Sequence, residues 1–182
     1  MRALVVYESM FGNTRAVALA VAEGLATRMA VDAVEVGEAP PALPPDVTLL
    51  VVGCPTHAHG MSTSQTRADA AGRAGERLVS RGPGMGDWME AIGRPATAVR
   101  AAAFDTRIKG PGLLWGSAAK VAAKRLQGAG FRFVPPARSF LVGGPTGPMF
   151  DRLVEGELVR ARAWGAGLAP AISEPSLARS SR

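Results

Sequence analysis

The sequence predicts an open, doubly wound α/β sheet covered by helices on both faces, and three observations carry that prediction. Short apolar runs suited to buried strands recur along the chain. Most of them are separated by helical patterns, and 182 residues with 47% hydrophobic content suit one domain with a core of ordinary size. Strands alternating with helices of this length form parallel βαβ units.

The elements follow in order. Ala3-Leu4-Val5-Val6 reads as a core strand, and Ser9-Met10-Phe11-Gly12-Asn13-Thr14 as a small polar loop opening a helix at about Thr14. In that helix Val17, Val21 and Leu25 recur at four-residue steps, with Ala20 and Gly24 on the same face. The second strand is Val31 to Val36, and Pro40-Pro41 and Pro44-Pro45 bracket the connection to a third, Thr48 to Val52. A longer segment, Met61 to Arg94, holds a Gln/Arg/Ala-rich piece, the breaker Arg81-Gly82-Pro83-Gly84, and a short amphipathic piece with Trp88, Met89 and Ile92. It is too short for a domain and reads as a lid or an oligomer contact. A fourth strand, Thr97 to Phe104, precedes a helix that Ser117 caps; it runs through Ala118, Ala122, Leu126 and Ala129 until Gly128 and Gly130 stop it. The fifth strand, Phe131 to Val142, is interrupted by Pro135-Pro136, and the last helix carries Phe150, Val154, Leu158, Ala161 and Leu168 on one side. Residues 1–169 are expected to form a single domain, and the Ser, Ala, Pro and Arg-rich tail over 170–182 to be disordered.

Lys and Arg number 21 against 15 acids, and the net charge of +6 would suit nucleic acid or an acidic partner. The basic residues are dispersed, however, and the tightest group, Lys120, Lys124 and Arg125, reads as the solvated face of one helix. With 5% aromatic residues there is little to stack bases upon, which argues against a nucleic-acid partner. The single cysteine, Cys54, rules out an internal disulfide and agrees with a reducing compartment. No segment reaches about 18 uninterrupted apolar residues, and the N-terminus begins at once with a core strand, so the expectation is a cytoplasmic protein without a membrane span.

The opening loop carries the first chemistry. Hydroxyls stand at both its ends, Gly12 permits a close backbone approach or a positive φ, and the helix that follows presents unpaired N–H groups and the positive end of its dipole. Ser9 and Thr14 add two side-chain donors, enough to hold a phosphate monoester; the competing reading is a capped helix in which Ser9 and Asn13 hold a turn. The loop has no lysine or arginine before Arg15, which sets it apart from a Walker loop, and Gly-x-Gly-x-x-Gly is absent.

Tyr7-Glu8-Ser9-Met10-Phe11-Gly12-Asn13-Thr14 resembles the FMN-phosphate loop of flavodoxins and flavodoxin-like proteins, with the spacing matched at Ser9, Gly12, Asn13 and Thr14. Gly53, Pro55, Thr56, Met61 and Ser62 are similar to the Gly-x-Pro-Thr loop that frames the flavin ring in flavodoxin-like quinone reductases. Independently of the family, the loops after strands one and three face each other at the switch point of a doubly wound sheet, where ligands bind. The resemblance spans roughly Met1 to Leu168 and implies a five-stranded parallel sheet in the order 2-1-3-4-5. It implies an FMN site in which Ser9, Met10, Phe11, Gly12, Asn13 and Thr14 wrap the phosphate. The ring would lie between Pro55, Thr56, His57, Ala58, His59 and Gly60 on one side and a third loop with Phe104, Asp105, Thr106 and Arg107 on the other. Gly60 would turn its peptide cheaply toward the ring's N5 edge.

The departures from that family are informative. The second loop has His57 and His59 where low-potential carriers commonly place aromatic residues, and the third brings Arg107 and Lys109 instead of a crowd of acids, with Trp115 its only large aromatic. Positive charge beside a reduced ring raises its potential. The expectation is therefore a quinone or small-molecule reductase of the NAD(P)H:quinone type, or a carrier that meets an acidic redox partner. A flavodoxin-fold binding or regulatory module without FMN is the alternative. Cys54-x-x-His57-x-His59 lacks a recognised zinc spacing, Cys54 reads as a small buried residue, and His57 and His59 read either as donors or acids toward a flavin or quinone or as solvent-facing. Trp88 and Trp164 read as core or edge packing. No catalytic residue is assigned, and the oligomeric state, donor and acceptor stay open.

Overall fold

In the computed structural model, which describes residues 1–57, 60–108, 116–144 and 152–169, one parallel sheet runs through the centre. Its strands are β1 (Arg2–Tyr7), β2 (Ala30–Glu35), β3 (Val47–Pro55), β4 (Arg100–Ile108), β5 (Arg132–Phe133) and β6 (Arg138–Val142). The order is β2-β1-β3-β4-β5, with β6 also paired to β4. Both β5 and β6 run parallel to β4, at its start and its end respectively. They are two pieces of one fifth strand, separated where Pro135 and Pro136 have no N–H to donate to the ladder. The expected order holds.

The helices are α1 (Asn13–Ala26), α2 (Ser64–Ala74), α3 (Met85–Ile92), α4 (Ala118–Gly128) and α5 (Glu157–Leu168). Alternate residues of the central strands feed two cores. Ala3, Val5 and Tyr7 of β1, Leu49 and Val51 of β3, and Ala102 and Phe104 of β4 meet α1 and α5 on one face. Leu4, Val6, Leu50, Val52, Ala101 and Ala103 meet α3 and α4 on the other. Burial on both faces is why these strands read as continuous apolar runs instead of alternating ones. Among the described residues no helix is long and apolar enough to cross a membrane.

Helices α1 and α5 touch backbone to backbone. A Cβ built on Gly24 would stand 2.1 Å from the carbonyl oxygen of Arg162, and one on Gly165 would stand 2.2 Å from that of Val21. Glycine is demanded here by space.

Several boundaries differ from the sequence expectation. β4 starts at Arg100, not Thr97, and continues through Asp105, Thr106 and Arg107, because pairing with Cys54 and Pro55 on one side and with Ser139 to Val142 on the other extends the ladder past the apolar run. The third loop therefore begins later than its composition suggested. In α5 the buried face is Ala161, Gly165 and Leu168, while Leu158 is 45% exposed. The inward contact in that first turn comes from Glu157, whose Oε2 accepts from the Leu141 N–H at 2.9 Å. Trp88 is buried and donates its indole N–H to Pro40 O at 2.9 Å. Ser117 caps α4, its Oγ accepting from Lys120 N–H at 3.2 Å. The tail over 170–182, Phe150, Lys109 and Trp115 lie outside the described residues.

The segment after β3 resolves into two helices with different duties. α3 packs on the sheet through Met85, Trp88 and Met89. The start of α2 is set by a capping box, with Thr66 N–H on Thr63 Oγ1 and Thr63 N–H on Thr66 Oγ1.

Candidate functional site

The carboxyl ends of β1, β3 and β4 border a cavity of about 440 Å³, within the range of small-molecule and cofactor sites. The phosphate-loop candidate forms one end. Gly12 precedes α1 with φ of +92°, a left-handed conformation that favours glycine. Ser9 Oγ accepts from Gly12 N–H at 3.1 Å and Arg15 N–H at 3.2 Å, so Ser9 caps the helix from four residues before its first residue. With two N–H groups directed at its oxygen, the hydroxyl has donation of its own proton left to offer. Thr14 Oγ1 lies 2.7 Å from Thr106 Oγ1, which joins the first loop to the end of β4.

The loop is also strapped from outside. Ser9 O and Met10 O accept from Ser80 N–H and Val79 N–H at 2.9 and 3.1 Å. Ser80 Oγ accepts from Ser9 N–H at 2.9 Å and donates to Glu35 Oε1 at the end of β2. Sequence reasoning missed Ser80 and Glu35, whose only sequence signal is a polar pair far apart in the chain.

Beside it, the second loop leaves β3. Gly53 answers a packing demand, since a Cβ there would stand 2.2 Å from Phe104 Cζ. Thr56 N–H donates to Thr106 O at 2.9 Å, and Thr56 Oγ1 accepts from Ala118 N–H at 3.2 Å. His57 and Gly60 exchange both backbone hydrogen bonds at 2.9 Å, so the Gly60 peptide groups are engaged with His57. Burial holds the His57 imidazole below its ordinary value of 6.5, against the opposing effect of a hydrogen bond to the Thr66 backbone. His57 is thus neutral at pH 7. Ala58 and His59 lie outside the described residues.

Of the residues singled out from sequence, Ser9, Met10, Phe11, Asn13 and Thr14 border the cavity at one end, and Pro55, Thr56, His57, Thr106 and Arg107 along its sides. Gly12, Gly60, Phe104 and Asp105 do not line it. Phe104 is fully buried against Phe140 and Trp164, with ring centroids 5.8 and 6.0 Å away. Asp105 is also fully buried, and its Oδ2 accepts from Ser117 Oγ at 2.6 Å and Ala119 N–H at 3.0 Å, holding the start of α4. Both support the site from behind.

The cavity has a further wall that sequence reasoning did not assign to it. Thr66, Asp69, Ala70 and Arg73 of α2 and Arg77 just beyond it face the space, as do Ile108, Val142, Gly143 and Gly144. The spacing of the α2 residues is that of one helical face, which is the signal that would have found them.

Two buried titratable groups sit just behind. Burial, reinforced by the Glu8 and Asp105 carboxylates, pushes the Cys54 thiol well above its ordinary range, which leaves it unreactive. Burial also raises the Glu8 carboxyl above its ordinary 4.5, against a hydrogen bond from the Met85 backbone; Oε2 accepts from Met85 N–H at 2.8 Å. A carboxyl raised on folding keeps its proton where the unfolded chain has released it. Stability therefore falls as pH rises from about 4.5 to the folded value, and stays lower above it. Glu8→Gln keeps an acceptor for Met85 N–H without the charge. It is expected to raise stability at pH 7 by about 1.4 kcal/mol per unit of elevation and to flatten that slope, as denaturant titrations across the window will show.

The chain was compared with known proteins. A family model described as Flavodoxin matches residues 5–148. A flavodoxin from the domain Archaea superposes with a TM-score of 0.64 at 18% identity, covering 96% of this chain and 100% of its own. Oxidised flavodoxin 2 from Bacillus cereus gives 0.59 at 17%, covering 94% and 97%. The two-electron reduced flavodoxin of Megasphaera elsdenii gives 0.58 at 14%, covering 91% and 98%. No curated protein matches the chain. The structural likenesses establish the fold, and the family match, which takes in both marked loops and all of the sheet but the first three residues of β1, establishes kinship: the chain belongs to the flavodoxin family, whose general role is redox chemistry on bound FMN.

Proposed function

We propose that the cavity at the ends of β1, β3 and β4 holds FMN and that the protein passes electrons through it to a small-molecule acceptor such as a quinone. The observation that carries this reading is the joining of the two marked loops around one space of about 440 Å³, with Ser9 and Thr14 at one end and Pro55, Thr56 and His57 beside it. The residues fit the group. The backbone from Gly12 to Thr14 and the Ser9 and Thr14 hydroxyls would hold the phosphate at the N-terminus of α1. Pro55, Thr56, His57, Thr106 and Arg107 would flank the ring, and Met10, Phe11, Ile108 and Val142 would keep water from it. When bound, FMN supplies the electron or hydride chemistry. Phe104 and Asp105, buried behind the cavity and not lining it, would support its wall from there.

The charge around the site favours a reductase over a low-potential carrier. Arg107, near the end of β4, borders the cavity beside the ring loop, and positive charge stabilises an anionic reduced ring. The expected potential of the fully reduced flavin lies at or above that of free FMN; a value well below it overturns the reductase reading in favour of a carrier. Bleaching of the bound flavin by NAD(P)H alone is the second expected result.

The experiment that tests FMN binding is titration of the purified apoprotein, followed by quenching of flavin fluorescence. Saturable binding supports the proposal. No binding at tens of micromolar flavin leaves the fold intact and overturns it, returning the chain to the class of flavin-free binding modules.

A further inference from the structure

The phosphate loop is short of positive charge in sequence, and the fold brings it from elsewhere. α2 borders the cavity and runs along it in a direction that its hydrogen bonds determine. Its first turn lies by the ring loop, where the Thr66 backbone bonds to His57. Its far end runs through Gly75–Arg77 to Val79 and Ser80, which donate to Met10 O and Ser9 O in the phosphate loop. Its cavity-facing residues change character along the way: Thr66 beside His57, then Asp69 and Ala70, then Arg73 and Arg77 toward Met10 and Phe11.

Arg77 is two residues from Val79, whose N–H donates to Met10 O, and Arg73 stands in the last turn of α2; both line the cavity. Neither arginine has an ion pair among the described residues, whereas Arg67, on another face of α2, pairs with Asp87 of α3 at 3.2 Å. Asp69, the acid that lines the cavity, comes before Arg73 along α2, toward the ring loop, and accepts from Gln65 Nε2 at 3.3 Å. The sign of charge along α2 therefore pushes an anion away from the middle of the cavity and toward the phosphate loop.

We infer that Arg73 and Arg77 are ligands of the cofactor's phosphate monoester, supplying across the cavity the cations that the loop at Ser9 to Thr14 lacks. The inference rests on the proposed FMN site and adds a specificity to it: the site selects the phosphorylated flavin over riboflavin partly through α2. Both arginines are exposed, so their grip is screened by salt.

The test compares FMN with riboflavin on the full chain and on Arg73→Gln/Arg77→Gln, at low and high ionic strength. The expected result is about a tenfold loss of FMN affinity at low salt in the double variant, with riboflavin affinity unchanged and the salt dependence of FMN binding flattened. Arg73→Lys/Arg77→Lys restores the salt dependence. Equal weakening of both flavins means that α2 is only a wall, and an unchanged FMN affinity means that the arginines stand clear; either overturns the inference while the FMN site stands. If neither flavin binds the native protein, the proposed function falls as well. In that event thermal protection by inorganic phosphate at matched ionic strength, lost in the glutamine variant, would retain the two arginines as ligands of a phosphate other than FMN's, and its absence would remove both.

Discussion

Gly165→Ala is expected to destabilise the protein by about 2 kcal/mol or more, lowering Tm by about 4–8 °C. Ordinarily alanine in a helix gains about 1 kcal/mol over glycine. Here the added methyl meets the Val21 carbonyl oxygen, with the built Cβ only 2.2 Å away. A backbone carbonyl inside a helix cannot rotate aside, so α1 and α5 must separate, and the packing of Val17, Val21 and Ala161 against the sheet loosens with them. Gly24→Ala makes the reciprocal contact with Arg162 O at 2.1 Å and should behave alike. Gly167→Ala in the same helix meets nothing within 4 Å and serves as the control, with a change of less than about 1 kcal/mol. Thermal or urea unfolding of the three variants checks the ranking, and a neutral Gly165→Ala would contradict the backbone contact.

Ser9→Ala combined with Thr14→Val is expected to weaken FMN binding at least about a hundredfold. Each hydroxyl removed takes a donor from a dianion, and hydrogen bonds to charged groups are worth about 1.5–3 kcal/mol apiece. The side chains also act through the protein. Ser9 Oγ holds the N–H groups of Gly12 and Arg15, and Thr14 Oγ1 holds Thr106, so their loss relaxes the loop as well. That structural share is read separately as a fall in Tm of the apoprotein. The binding loss should exceed what Tm reports, because the phosphate is the ligand's strongest charge. A variant that keeps native FMN affinity would place the phosphate outside residues 9–14.

The second result would also bear on α2. With the loop hydroxyls gone, the arginine side chains are the remaining side-chain contribution to phosphate selectivity that the proposal recognises. The double loop variant should therefore lose its FMN-over-riboflavin preference further when Arg73 and Arg77 are replaced.

Much of this was legible in order along the chain. The apolar runs at Ala3 to Val6 and Thr48 to Val52 are buried on both faces of a parallel sheet, and that burial leaves a one-dimensional mark. Gly12 at a left-handed position before a helix, and Ser117 with its hydroxyl on Lys120 N–H, are local devices whose residue type follows from local backbone geometry. What the sequence by itself determined was accordingly the sheet, its helices and the two loops at the switch point. Tertiary structure alone decided the rest, because it depends on which distant groups compete for the same space or the same hydrogen bond. Asp105 looked like a ligand residue and is drawn instead to the N-terminus of α4. Gly53 looked like part of a ring loop and is glycine to admit Phe104. Arg73 and Arg77 belonged to a Gln/Arg/Ala-rich segment that read only as a lid or an oligomer contact, and they line the cavity, because Val79 and Ser80 bind that end of the segment to the phosphate loop.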